Sequence, residues 1–136
     1  MTYPSPNVAH ALRTLLWCSL VNDPDDLDSD YTNADEYDAS DTLIQLVAAE
    51  WEDFYSQLIA LNFDPLEAYI CTLHPDNDGD WWNAVAHDWI LTREGHGSGF
   101  WDGRLSEPWA SKLTDIARQR PEFNLWLSDD GLLYPG

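Results

Sequence analysis

The stretch from Ala86 to Gly103 constrains the fold more than any other part of this chain. It starts with the apolar run Trp89-Ile90-Leu91, places glycine at every second position (Gly95, Gly97, Gly99), and returns to aromatic residues at Phe100-Trp101. An apolar run that breaks into a glycine-rich turn and then resumes has the pattern of a β-hairpin. A central strand over 87–92 and a short strand over 99–101 are therefore expected.

The flanking pattern is helical on the N-terminal side. Val8, Leu12, Leu15, Leu16 and Leu20 recur at helix spacing and predict a first helix over about 7–21. Leu43, Val47, Trp51, Phe54, Leu58 and Leu61 step by three and four and predict a second helix over about 40–61, capped by Ser40 or Asp41. Asp64-Pro65 opens a shorter third helix through Leu73, with proline where its missing N–H costs nothing. A fourth helix is expected over 106–120, with Ser106 as its N-cap, Trp109, Leu113, Ile116 and Ala117 on its buried face, and Pro121 as its stop. Phe123, Leu125 and Leu127 then alternate with Asn124, Trp126 and Ser128 at strand period. Asp129-Asp130-Gly131 is a turn, and Leu132-Leu133-Tyr134 the returning arm. This order predicts an α+β fold, with helices packed on a small antiparallel sheet built from C-terminal hairpins. At 136 residues one domain is expected. Its acidic helical half would cover about 1–74, and the hairpins and fourth helix about 75–136.

Charge is distributed unevenly. The net charge is -19, and from Thr14 to Thr92 there are 18 acidic residues and no Lys or Arg. Residues 23–38 alone hold eight acids. Such a field repels nucleic acid and anionic lipid and attracts basic surfaces. Direct nucleic-acid binding and membrane association are therefore not expected. Eight Trp residues do not alter that conclusion, because stacking platforms for bases sit in basic grooves. The N-terminal segment lacks the basic start and cleavage site of a signal peptide, so a cytosolic location is expected. Cys18 and Cys71 match neither a disulfide framework nor a zinc motif.

His87 to Asp102 resembles the signature of a family of small phage-encoded proteins, close to "HDFWLTRNGHGAGFWD". The resemblance extends to Ala11–Cys18, to Leu27-Asp28 with Tyr31, to Leu113-Thr114, and to the closing run from Asp129 to Tyr134. The chain departs from the signature at Trp89-Ile90, Glu94 and Ser98. The resemblance implies a phage or prophage origin and a shared fold, and it transfers no catalytic residue.

Within the signature, His87, Asp88, Arg93, His96 and Asp102 form a candidate ligand site. The two histidines and two aspartates are of metal-ligating type, but their spacing matches no ligand pattern, and no metal or cofactor is assigned. The glycine turn lacks the following helix and lysine of a phosphate cradle. Ser98, His96 and Asp102 lack a nucleophile elbow. Asp76, Asp78 and Asp80 do not fit an EF-hand register. No catalytic residue is assigned, and the chain is not read as an enzyme.

The acidic half carries the functional expectation. Duplex DNA presents about one charge per 1.7 Å of axis. Carboxylates of the 23–38 segment and the second helix can imitate such a row and occupy a host protein's basic nucleic-acid groove. The candidate partner-binding residues are Asp23, Asp25, Asp26, Asp28, Asp30, Tyr31, Asp35, Glu36, Asp38, Glu50, Glu52 and Asp53, with Tyr37 or Trp51 as further anchors. The expected function is inhibition of a host defence protein of the CRISPR or restriction type by nucleic-acid mimicry. A ligand or metal site at the signature, and a structural or assembly role in the phage particle, are the alternatives.

Overall fold

The computed structural model describes residues 5–21, 32–70, 80–102 and 104–136. Helix α1, Pro6–Cys18, opens on Ser5, whose hydroxyl accepts the Val8 N–H, with Pro6 in the first turn. It ends three residues before the expected end, because Leu20–Val21 form strand β1 against β2, Thr32–Asn33. A single 3₁₀ turn, Ala34–Glu36, leads to β3, Asp38–Ala39.

Helix α2, Asp41–Ala60, is capped by the Ser40 hydroxyl at 3.1 Å from Leu43 N, as its sequence predicts. Its buried stripe is the expected one, Leu43, Val47, Trp51, Phe54 and Leu58, except that Leu61 lies outside it, exposed. Asp64 caps α3, Pro65–Ala68, which is one turn long because Tyr69 leaves it to bridge Leu105.

The main correction concerns the signature. Residues 87–92 are not a strand; they belong to helix α4, Trp81–Arg93, capped by Asp80. Residues 99–101 are a turn, not a strand. Buried residues occur around α4, from Asn83 to Arg93, so the helix is enclosed by its neighbours. Its largest helix partner is α1. The helical segments before and after residue 75 therefore pack into each other.

Helix α5, Trp109–Ala117, starts after Ser106, whose side chain does not cap it; instead the Glu107 carboxylate accepts from Ser111 N and Ser111 Oγ. Strands β4, Trp126–Leu127, and β5, Leu132–Tyr134, make the C-terminal hairpin, with Gly131 at φ +81° in its turn. The fold is α+β, but its three-stranded sheet is mixed. β5 lies in the centre, antiparallel to β4 and parallel to β3, with Ala39 opposite Leu133. A segment from before α2 thus supplies the third strand that the signature was expected to supply.

Buried residues from α1, α2, α4, α5 and the sheet form one cluster. Its aromatic centre is Trp51, Phe54, Trp89 and Phe100, with Phe54 stacked on Trp89 at 5.7 Å and on Phe100 at 5.9 Å. Each such ring contributes about 1.5–3 kcal/mol by burial, and each ring pair about 0.5–1.5 kcal/mol more. No helix of the described residues is long and apolar enough to cross a membrane.

Candidate functional site

The signature's polar residues point in two directions from α4. On one side His87 Nδ1 lies 3.0 Å from the Thr14 hydroxyl of α1. That hydroxyl also donates to the His10 carbonyl, so the ring nitrogen is the donor in the contact with His87. His96, in the loop after α4, packs on Trp17 at 5.5 Å, one turn further along α1. Two of the four proposed ligands therefore contact different turns of one helix.

On the other side Asp88 is buried, with Tyr69 Oη at 2.7 Å and Arg104 Nη2 at 2.9 Å. Arg104 also grips Asp102, with Nη2 at 2.8 Å and Nε at 3.1 Å. Burial alone would raise the Asp102 carboxyl, but the hydrogen bonds and charge of Arg104 hold it below the ordinary carboxylate range. Burial and then the Asp88 charge push the Tyr69 phenol well above its usual value. Among the described residues, no three His, Cys, Asp or Glu side chains are grouped to hold a metal ion. Asp88 and Asp102 are ion-pair partners of one guanidinium, and no local sequence pattern marks Arg104 as their shared partner or Tyr69 as a donor to Asp88.

Arg93 is also internal. Its Nη2 donates to Glu50 Oε1 at 3.3 Å and to the Pro121 carbonyl at 2.7 Å, and the guanidinium lies 4.0 Å over the Phe123 ring. Burial pulls its pKa down, while Glu50 pulls it back up. Glu50 must therefore be removed from the partner-binding set: it is buried between Arg93 and Arg120, so it presents no charge for docking. Asp53 is exposed but already bonded to Arg120 at 3.2 Å. Trp51 is core, not a surface anchor, and Tyr37 is half-buried. Asp35, Glu36, Asp38 and Glu52 are exposed as expected. Asp23, Asp25, Asp26, Asp28, Asp30 and Tyr31 lie outside the described residues.

Two of the three loop glycines have a structural reason, and it differs between them. Gly95 has φ +66°, the left-handed backbone that follows the C-terminus of a helix. A Cβ at Gly99 would collide with Thr92 Oγ1, which accepts the Phe100 N–H. Gly97 has open space around it. The hairpin argument therefore holds for none of them, and the backbone argument for Gly95 alone.

A group absent from the sequence-based set stands out at this point. Glu94 closes α4 and accepts the Phe123 N–H at 3.1 Å. It lines a cleft of about 310 Å³ with Cys18, Leu20, Glu122 and Leu125. Burial, and then the Glu122 charge, raise its carboxyl to about 7. Burial and the Glu94 charge push the Cys18 thiol up to about 12, which makes it a poor nucleophile. The sequence signal for this site is slight: Glu94 is a departure from the resembled signature, and only the helical assignment of 81–93 shows that it sits at a helix end.

No family model, no curated protein and no solved structure matches the chain.

Proposed function

We propose that the protein is a non-enzymatic phage or prophage protein that binds and inhibits a host nucleic-acid-handling protein, presenting its acidic half to that protein's basic groove. The observation that carries this reading is the uncompensated charge. Residues 14–92 hold 18 acids and no Lys or Arg. Three of the six basic residues of the chain, Arg93, Arg104 and Arg120, are in ion pairs with Glu50, Asp88, Asp102 and Asp53. Asp35, Glu36, Asp38 and Asp41 follow one another, exposed, from the 3₁₀ turn into α2. A concentrated anionic surface accelerates encounter with a basic groove and competes with nucleic acid for it.

The test is capture from bacterial lysate at low and high salt, followed by competition against duplex DNA for the captured protein. A nucleic-acid-binding protein held at low salt, released by salt and displaced by DNA is the expected result. Replacing the acids of 23–38 with Asn and Gln should abolish capture. Affinity unchanged by those replacements, or no capture at either salt, overturns the reading.

A further inference from the structure

We propose that the cleft between the C-terminal ends of α1 and α4 is a docking pocket for one basic side chain, an arginine or lysine presented by a partner protein. The proposal rests on the partner-binding reading above and gives that binding a defined seat. Charge complementarity favours this occupant. Glu94 and Glu122 both line the cleft, and no Lys or Arg does. The adjacent guanidinium, Arg93, is directed to Glu50 and the Pro121 carbonyl. Of the two Glu94 carboxylate oxygens, Oε2 holds the Phe123 N–H, and Oε1 takes no hydrogen bond from a described residue.

Shape favours it as well. The volume of about 310 Å³ is at the small end of ligand clefts, which run to about 1,000 Å³. That suits a single side chain better than a cofactor. Leu20 is 63% exposed and lies on the wall with Leu125, an apolar surface for the methylene stem behind a charged head.

The probe is N-acetyl-arginine amide, with N-acetyl-citrulline amide as its uncharged isostere, titrated into ¹⁵N-labelled full-length protein. Saturable shifts are expected at Ser19, Leu20, Glu94, Asn124 and Leu125 with the arginine compound and not with citrulline. Glu94→Gln keeps an acceptor for the Phe123 N–H and should weaken binding at least about fivefold. The groups facing Glu94 are Cys18 from α1, Arg93 on its own helix and Glu122 ahead of β4. Cys18, at about 12, does not titrate near neutrality. Affinity should therefore rise up to about tenfold from pH 6 to pH 8 as Glu94 ionises. Equal response to citrulline overturns the pocket. So do shifts spread over Asp35, Glu36 and Asp38 that survive Glu94→Gln, although they leave the acidic-surface reading intact. Arginine-specific binding at the cleft in a protein that captures no partner supports the pocket and overturns only the proposed function.

Discussion

The Asp88 side chain is 1% exposed, and its carboxylate accepts from Tyr69 and is paired with Arg104. Removing one partner of such a pair leaves the other buried or stranded. Asp88→Ala should therefore cost about 3 kcal/mol and lower the melting temperature by roughly 10 °C, measured by calorimetry. A loss under 1 kcal/mol would mean that Arg104 finds solvent or another acceptor at no cost. Glu94 has the opposite character. Its folded value of about 7 lies above an unfolded glutamate's, so the folded state keeps a proton the unfolded chain has lost. Its contribution to stability thus falls as pH rises from about 4.5 to about 7 and is flat beyond. Glu94→Gln removes that fall. Denaturant titration should find it close to neutral at pH 5 and stabilising by up to about 2 kcal/mol at pH 8, after allowance for solvent screening. Equal effects at both pH values would show that Glu94 ionises freely in the fold.

Helix α4 marks the boundary of what the sequence made readable. α2 was plain because one face is apolar and the other polar, and its cap, stripe and length follow from that contrast. The turn at 129–131 and the arm at 132–134 were equally plain from Asp-Asp-Gly between apolar runs. α4 is buried too evenly for such a contrast, and a short apolar run reads alike as strand or enclosed helix. β3 was invisible, since two residues paired to a strand some 90 positions away carry no local pattern. The candidate site is hidden for the same reason: the partners of Asp88 and the position of Glu94 follow from the helical geometry of 81–93, which a strand over 87–92 does not contain. The loop after α4 allows a three-member test of the corrected element. Gly99→Ala must push against Thr92 and should cost about 1–3 kcal/mol. Gly95→Ala should cost about 1 kcal/mol for its left-handed backbone. Gly97→Ala should lie within about 0.5 kcal/mol of the parent. Three equal losses by urea denaturation would contradict this loop.

At the scale of the whole molecule, a net charge of -19 opposes compaction at low ionic strength. Screening by salt should relieve that repulsion, so the melting temperature should rise between about 20 mM and 500 mM NaCl. The Arg104 pairs, partly sheltered from solvent, should weaken little over the same range. A melting temperature that falls with salt would mean that ion pairs outweigh repulsion. The aromatic centre described above has a consequence of another kind. Trp51 stands 5.4 Å from Trp89 and 6.3 Å from Trp82, close enough for the electronic transitions of neighbouring indoles to couple. The folded protein should carry an exciton couplet in its circular dichroism that vanishes when α2 separates from α4. Trp17, Trp101 and Trp126, which remain half-exposed, should instead answer to soluble quenchers. Without any attached dye, light absorbed by this chain distinguishes the opening of its centre from events at its surface.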